Sequence, residues 1–311
     1  MTCLRRPIRG RRPGKHVYPY DMRCKAAFAL LPLLATALAA QQQPLPDQRT
    51  FLQEVRKHLD TDEFRQLGYM YVETRRDRKL DKAGQPTGES VKMLESYPGL
   101  PGEERWERVL SEDGKAIPPQ ELERRDRERQ KHVEEYARKL AKDPEQMKAK
   151  EERERERRRR ERAENIDDID RVFDVRMVGR EAIEGHDTIL LALTPRHDAK
   201  PRTRAGGIMR HFNVRAWISA SDYELVRLDA EAIDTVSIGF GLLARVHKGS
   251  KASLQRRKVN GESWLPARAD YFLSMRVGLL AVLRHSGSVE FSNYKKFGVD
   301  SSYRVATPKV Q

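Results

Sequence analysis

The chain has 311 residues, and 61 Lys+Arg against 47 Asp+Glu give it a formal net charge of +14, with 35% of its residues charged. A hydrophobic fraction of 38% is low for a globular domain yet above that of a disordered chain, which implies a packed core beside a solvated charged segment. The two cysteines, Cys3 and Cys24, exclude a disulfide scaffold, a Cys-ligated zinc module and an iron–sulfur site.

Residues 26–40 read AAFALLPLLATALAA, an uncharged run preceded by Arg23 and Lys25, with Ala37 and Ala39 spaced for cleavage before Ala40. This is the pattern of a secretory signal peptide, and the run falls short of the ~20 residues of a membrane span. A retained anchor is the other reading of the same run, and Met22 is an alternative start. Residues 1–40 hold eight basic residues and one acidic residue, so half of the net charge and both cysteines leave with the leader. The expected product is a periplasmic protein, soluble after signal cleavage and monomeric. Export and the modest residual charge exclude nucleic acid as a partner.

Asp47 opens an amphipathic helix whose apolar residues Phe51, Leu52, Val55 and Leu59 fall on one face. From Leu67 the period changes to two, with Met70, Val72 and Thr74 alternating with Tyr69, Tyr71 and Glu73. The turn-rich segment 83–88 separates this strand from a second at Val91 to Ser96, and a third at Trp106 to Leu110 ends at Asp113-Gly114.

Residues 119–164 are of another kind. Between Glu121 and Glu164 stand 17 basic and 14 acidic residues, and only Val133, Tyr136, Ala137 and Leu140 form an apolar stripe. Asp143-Pro144 breaks the segment in two, and its second half pairs Glu151 with Arg155, Glu154 with Arg158 and Glu156 with Arg160 at the spacing that supports a solvated helix by ~0.2–0.5 kcal/mol each. The pattern predicts a charged helical insertion, dispensable for folding. A functional reading places Arg157 to Arg160 on an anionic membrane surface, at ~1 kcal/mol per cation.

After Ile166 alternation returns. Phe173, Val175 and Met177 precede a turn at Glu184-Gly185; Ile189, Leu191 and Leu193 follow; then come Phe212, Val214, Ala216 and Ile218. Ser219 to Asp222 connects to a strand at Tyr223 to Asp229. Asn260-Gly261 is the strongest hairpin signal, leading into a strand with Ala269, Tyr271, Leu273, Met275 and Val277 on one face. A last strand runs through Val289, Phe291 and Tyr294. Roughly nine to eleven antiparallel strands with helices define a mainly β, α+β fold, a curved sheet or half-barrel rather than a flat layer.

No catalytic constellation survives inspection. The eight histidines show no pair at the spacing of a zinc-binding helix, there is no nucleophile elbow, and the 84–90 segment lacks the Lys of a phosphate loop. His285-Ser286-Gly287-Ser288 reads as a turn with a chance His–Ser pair, and Asp167, Asp168 and Asp170 as a helix-to-strand junction rather than a cation site. Neither a cofactor nor a metal is expected, and the chain is not read as an enzyme.

Two short apolar runs interrupted by glycine stand apart. Residues 237–244 contain Ile238, Phe240, Leu242 and Leu243, and residues 277–283 contain Val277, Leu279, Leu280 and Leu283; Arg245 and Arg284 follow. They are either buried strands or core helix, or the lining of a cavity for an apolar ligand, with the helix at Phe51 to Leu59 as its lid.

Three segments carry a family resemblance: WISASDYELVRL at Trp217 to Leu228, NGESWLP at Asn260 to Pro266, and FSNYKKF at Phe291 to Phe297. They resemble strand and turn signatures of the bacterial periplasmic outer-membrane lipoprotein-sorting proteins, the LolA/LolB-like fold. The resemblance covers mainly residues 166–300, with weaker support from 47–118. It implies a half-barrel covered by helices around an apolar cavity that receives the acyl chains of a lipoprotein or another lipid. The expected organisation is a leader at 1–40, one half-barrel domain from 41–118 and 165–311, and the charged insertion at 119–164. The insertion departs from the compact carriers and points to a relative with another client. The alternative is an envelope structural or sensor module in which the sheet packs a complete core and the charged helix binds a partner, an envelope membrane protein included.

Overall fold

A computed structural model describes residues 44–101, 103–238, 244–277 and 281–296, the side chains of 60–65, 238, 244 and 281 excepted. The expected leader, with its expected cleavage site and both cysteines, lies outside the described residues.

Helix α1 (Gln48–Leu67) is followed by strands β1 (Tyr69–Leu80), β2 (Pro86–Tyr97), β3 (Trp106–Glu112) and β4 (Lys115–Ala116). Two long helices, α2 (Pro119–Lys142) and α3 (Pro144–Val172), lead to β5 (Phe173–Ile183) and β6 (His186–Pro195). The short α4 (Arg204–Met209) precedes β7 (Phe212–Ser219), β8 (Leu225–Ala232), β9 (Val236–Ile238), β10 (Ala244–Val246), β11 (Lys251–Val259), β12 (Ser263–Val277) and β13 (Ala281–Lys296). All strands join one open antiparallel sheet of 13 strands in the order β4-β3-β2-β1-β13-β12-β11-β8-β7-β6-β5, with β10 against β12 and β9 against β10. The expected α+β half-barrel with helices is the observed architecture, with more strands than anticipated because β4, β9 and β10 are only two or three residues long.

Local chemistry sets the turns. Asp113-Gly114, Glu184-Gly185 and Asn260-Gly261 all take positive φ at both positions, from 48° to 81°. That is the mirror-image turn whose twist matches two antiparallel strands, and glycine at the second position supplies it without a Cβ clash. Asp47 caps α1, accepting Thr50 N at 2.9 Å, and Asp143 caps α3 through Gln146 N at 2.9 Å.

The core forms where α1 crosses one face of the sheet. Phe51 and Val55 pack on Ile189, Leu191, Ala216 and Ile218, with Leu52, Leu59, Val175 and Met177 at the margin. Each such side chain stabilises the fold by ~1.5–3 kcal/mol on burial. Arg56, on the outer side of α1, holds Asp167 and Asp170 of α3.

The charged segment is helical and breaks at Asp143–Pro144 as expected, but it is not solvated throughout. Arg108 of β3 grips Asp126 of α2 through two bonds of 2.8 and 2.9 Å, Arg129 binds Glu103 at 2.9 Å and lies over Trp106, and Val133 is buried. The expected ion pairs along α3 are also partly rearranged, because Glu151 turns to Tyr136 of α2 and Arg155 takes Glu152. Nor does α3 stop at 164; its last turns run on to Val172, which is buried.

Candidate functional site

Pairing of the strands brings the two apolar runs together at one end of the sheet. Ala244 of β10 opposes Val277 of β12, Val246 opposes Met275, and across the next ladder Met275 opposes Leu283 of β13. Phe240, Leu242, Leu243, Leu279 and Leu280 lie outside the described residues, as does the side chain of Ile238. Val277 and Leu283 are each 40% exposed and neighbouring Val282 is 53% exposed, so these three do not sit in a packed core.

Residues directly opposed in a ladder share a face, which traces the site inward. The register Ala216–Leu228–Leu254–Ala269–Val289 carries the face covered by α1 over β7 across β8, β11, β12 and β13. Along β12 the same face continues through Tyr271, Leu273, Met275 and Val277 by simple alternation. The structure therefore shows an apolar strip that leaves the core and runs to an exposed tip.

A polar cluster interrupts the strip. Tyr271 donates its hydroxyl to Asp77 Oδ1 at 2.6 Å, and His285 Nδ1 lies 2.8 Å from Asp77 Oδ2. Burial alone would raise the Asp77 carboxyl, but the hydrogen bonds from Tyr271 and His285 and the charges of His285 and Lys79 outweigh it and hold the carboxyl below its ordinary value. An ionised carboxylate only accepts, so Nδ1 carries the proton and the outer nitrogen, Nε2, is the one turned away from Asp77. Burial and then the bond to Asp77 push the Tyr271 phenol up to about 12. Gly287, opposite Tyr271, makes the arrangement possible: a Cβ there would lie 2.5 Å from the Tyr271 oxygen and 2.3 Å from Arg76 O.

One sequence reading changes here. His285-Ser286-Gly287-Ser288 is not a turn but the middle of β13, and His285 opposes Leu273 while Ser286 opposes Phe272, so the two side chains point to opposite faces. The partner of His285 is Asp77, which no local pattern could disclose; only the β1–β13 register, with Asp77 opposite Gly287, brings it there. The reading of Asp167, Asp168 and Asp170 as a junction agrees with the structure. Asp168 is fully buried and accepts from Arg202 N at 3.0 Å, Thr203 N at 2.8 Å and Thr203 Oγ1 at 2.8 Å, while its neighbours pair with Arg56. Among the described residues no group of His, Cys, Asp and Glu is arranged to hold a metal ion.

Nearer the start of β1 the same face is aromatic and charged. Tyr71 contacts Phe291 and Tyr294, Arg105 stacks over Tyr71 at 4.5 Å, and buried Glu73 is held by Arg75 at 2.6 Å. The opposite face of β7, β8, β11 and β12 bears an open groove of about 410 Å³. Arg227 there forks onto Asp229 at 2.9 and 3.0 Å and Lys251 meets Glu231 at 3.4 Å, while Arg215 and Arg227 stack on Trp217. Its three cations and three carboxylates neutralise one another, and Ala230, Ala252, Tyr271 and Phe272 share its lining with them.

No family model matches the chain, and no curated protein sequence matches it. Solved structures do. The chain is similar to an outer membrane lipoprotein-sorting protein domain from Vibrio parahaemolyticus, at 9% identity over 80% of this chain and 92% of that one, with a TM-score of 0.32. It is similar to a LolA superfamily protein from Nitrosomonas europaea at 10% identity, covering 78% and 92% of the two chains with a TM-score of 0.27. A third is a chain of the Pseudomonas aeruginosa MucA/MucB complex, at 8% identity, 79% and 98% coverage and a TM-score of 0.23. The lipoprotein-sorting proteins that the sequence motifs resemble thus recur among the structures to which this chain is similar. Among the described residues no helix is long and apolar enough to cross a membrane.

Proposed function

We propose that this chain is a non-enzymatic periplasmic binding protein that takes acyl chains of a lipoprotein or another lipid onto the strip of β12 and β13, in lipoprotein sorting or a related envelope process. The leader supports export, and the observation that carries the reading is the exposed apolar surface. Val277 and Leu283 are exposed together on the strip face at the end of the β12–β13 pair, with Val282 exposed on the opposite face, and the two runs continue in sequence through Phe240, Leu242, Leu243, Leu279 and Leu280. Apolar residues exposed together, rather than singly, mark a binding surface. The role of these residues as ligand contacts is part of the proposal. Mature protein isolated from cells and extracted for mass spectrometry should yield lipid. Protein that is clean of lipid and indifferent to a fluorescent fatty acid would refute the carrier reading, leaving an envelope module that binds a partner protein.

The energetics of an open strip matter for what the ligand must be. At ~0.8 kcal/mol per buried CH₂, about five covered methylenes contribute ~4 kcal/mol, the scale of a millimolar Kd before ordering costs. A tail resting on such a surface is held weakly unless something else anchors it.

A further inference from the structure

We infer that the cluster formed by His285, Lys79, Asp77 and Tyr271 is a headgroup site, and that the preferred ligand is a single-chain amphiphile with an anionic head. This rests on the acyl-binding reading above and adds the class of headgroup. Three placements carry it. First, the cluster lies on the same face as Leu273, Met275 and Leu283, with His285 opposing Leu273 two residue pairs along the ladder from the Met275–Leu283 pair. A head bound at His285 leaves its tail free to run along the strip toward Val277. Second, the charge is of the right sign. Asp77 is engaged by both Tyr271 and His285, whereas Lys79 opposes His285 across the β1–β13 ladder and is exposed. With His285 protonated, two cations face one already satisfied carboxylate, and Asp77 fixes which nitrogen points outward. Third, the cluster is within reach of a ligand: the His285 side chain is 22% exposed and that of Asp77 37%.

Other cations on this face are engaged, Arg105 with Tyr69 O, Ser96 and the ring of Tyr71. Arg75 is already shared between Glu73 at 2.6 Å and Glu107, and Lys92 pairs with Glu112 at 3.0 Å. A hydrogen bond to a charged group is stronger than a neutral one and falls away when the head is a hydroxyl. The geometry therefore predicts selectivity rather than affinity alone.

The test compares lauric acid, dodecyl phosphate and dodecanol binding to the mature protein, by titration against a displaced fluorescent fatty acid at neutral pH. At least one of the two anions should bind about tenfold more tightly than dodecanol. Lys79→Gln and His285→Gln should each erase most of that preference while leaving dodecanol binding and the urea midpoint nearly unchanged; Lys79 is exposed, so its variant tests the site even if the histidine variant unfolds. Carboxylate over phosphate, or the reverse, tells a fatty-acid-like head from a phospholipid-like one, and either supports the assignment. Equal binding of all three by the wild-type protein overturns the headgroup site and leaves the acyl strip standing. Equal loss of all three in stable variants also overturns it, since the cluster would then merely shape the strip. Binding of none of them by the wild-type protein refutes the carrier reading itself.

Discussion

Replacing Asp168 by alanine should be among the most damaging single changes in this protein. The carboxylate is fully buried at the end of α3 and joins it to the start of α4 through Arg202 N, Thr203 N and Thr203 Oγ1, with Arg171 adding a bond of 3.2 Å. Alanine would leave two backbone donors and a hydroxyl without their acceptor. At ~1–3 kcal/mol for each buried group left unmet, with some rescue by water, the loss should total about 3–5 kcal/mol. At an m of ~3 kcal/mol/M, that lowers the urea midpoint by about 1 M or more. Asparagine keeps the shape and one acceptor, so it should cost about half as much. Acid gives an independent readout. Burial works to raise the Asp168 pKa, but the backbone hydrogen bonds from Thr203 and Arg202, the Thr203 hydroxyl and Arg171 prevail and hold it below the ordinary aspartate value of 3.8. The unfolded chain then binds the proton more readily, so this stabilisation is complete above pH 3.8 and fades as pH falls through the lower folded value. Asp168→Asn should flatten that part of the profile. A loss below ~1 kcal/mol on Asp168→Ala would refute this account. So would wild-type stability that rises with added calcium or magnesium and depends on Asp168, since the carboxylates would then form a cation site.

Leu283→Asn and Val277→Asn should change stability by no more than ~0.5 kcal/mol, because both side chains are already exposed, yet weaken binding of a fluorescent fatty acid; urea midpoints and titrations on the same samples check both halves. Phe51→Ala should cost ~3–5 kcal/mol, since Phe51 is the α1 residue set deepest against Ile189, Leu191 and Ala216, and a midpoint shift under ~1 kcal/mol would show that α1 does not close this core. Gly287→Ala should cost ~1–3 kcal/mol and free the Tyr271 hydroxyl, which would appear as a phenol titrating nearer its ordinary value than about 12.

Much of the fold is legible because its turns and periods are local. Asn260-Gly261 marks the β11–β12 hairpin, and the 3.6-residue spacing of Phe51, Leu52, Val55 and Leu59 marks α1 and the face it buries. The short β4, β9 and β10 escape a reading by period because two or three residues contain no period to count. The docking of α2 escapes for a different reason. Asp126 looks like any other charge in a segment with 17 basic and 14 acidic residues, and only the fold pairs it with Arg108 of β3 through two parallel bonds.

The site divides along the same line. Apolar runs at 237–244 and 277–283 are conspicuous in sequence, but hydrophobicity alone cannot say whether a strand end is covered, and the exposed Val277, Val282 and Leu283 follow from the β12–β13 pair extending beyond the β1–β13 register, which ends at Lys79 opposite His285. The polar cluster is harder still, because Asp77 and His285 stand 208 residues apart, on strands from the two ends of the described chain that meet only in the sheet. Serine and glycine around His285 mimic turn composition, whereas the glycine is there because Tyr271 needs its space. A cross-strand tyrosine that displaces a Cβ and ends on an aspartate is a long-range requirement written in a single glycine. If it served the sheet alone, an apolar pair would fill the position at less cost than three buried or half-buried polar groups. Their presence in the middle of an otherwise apolar strip is what makes a polar ligand head the economical explanation, and Lys79→Gln, which touches none of the three, is the change that separates it from a merely structural ladder.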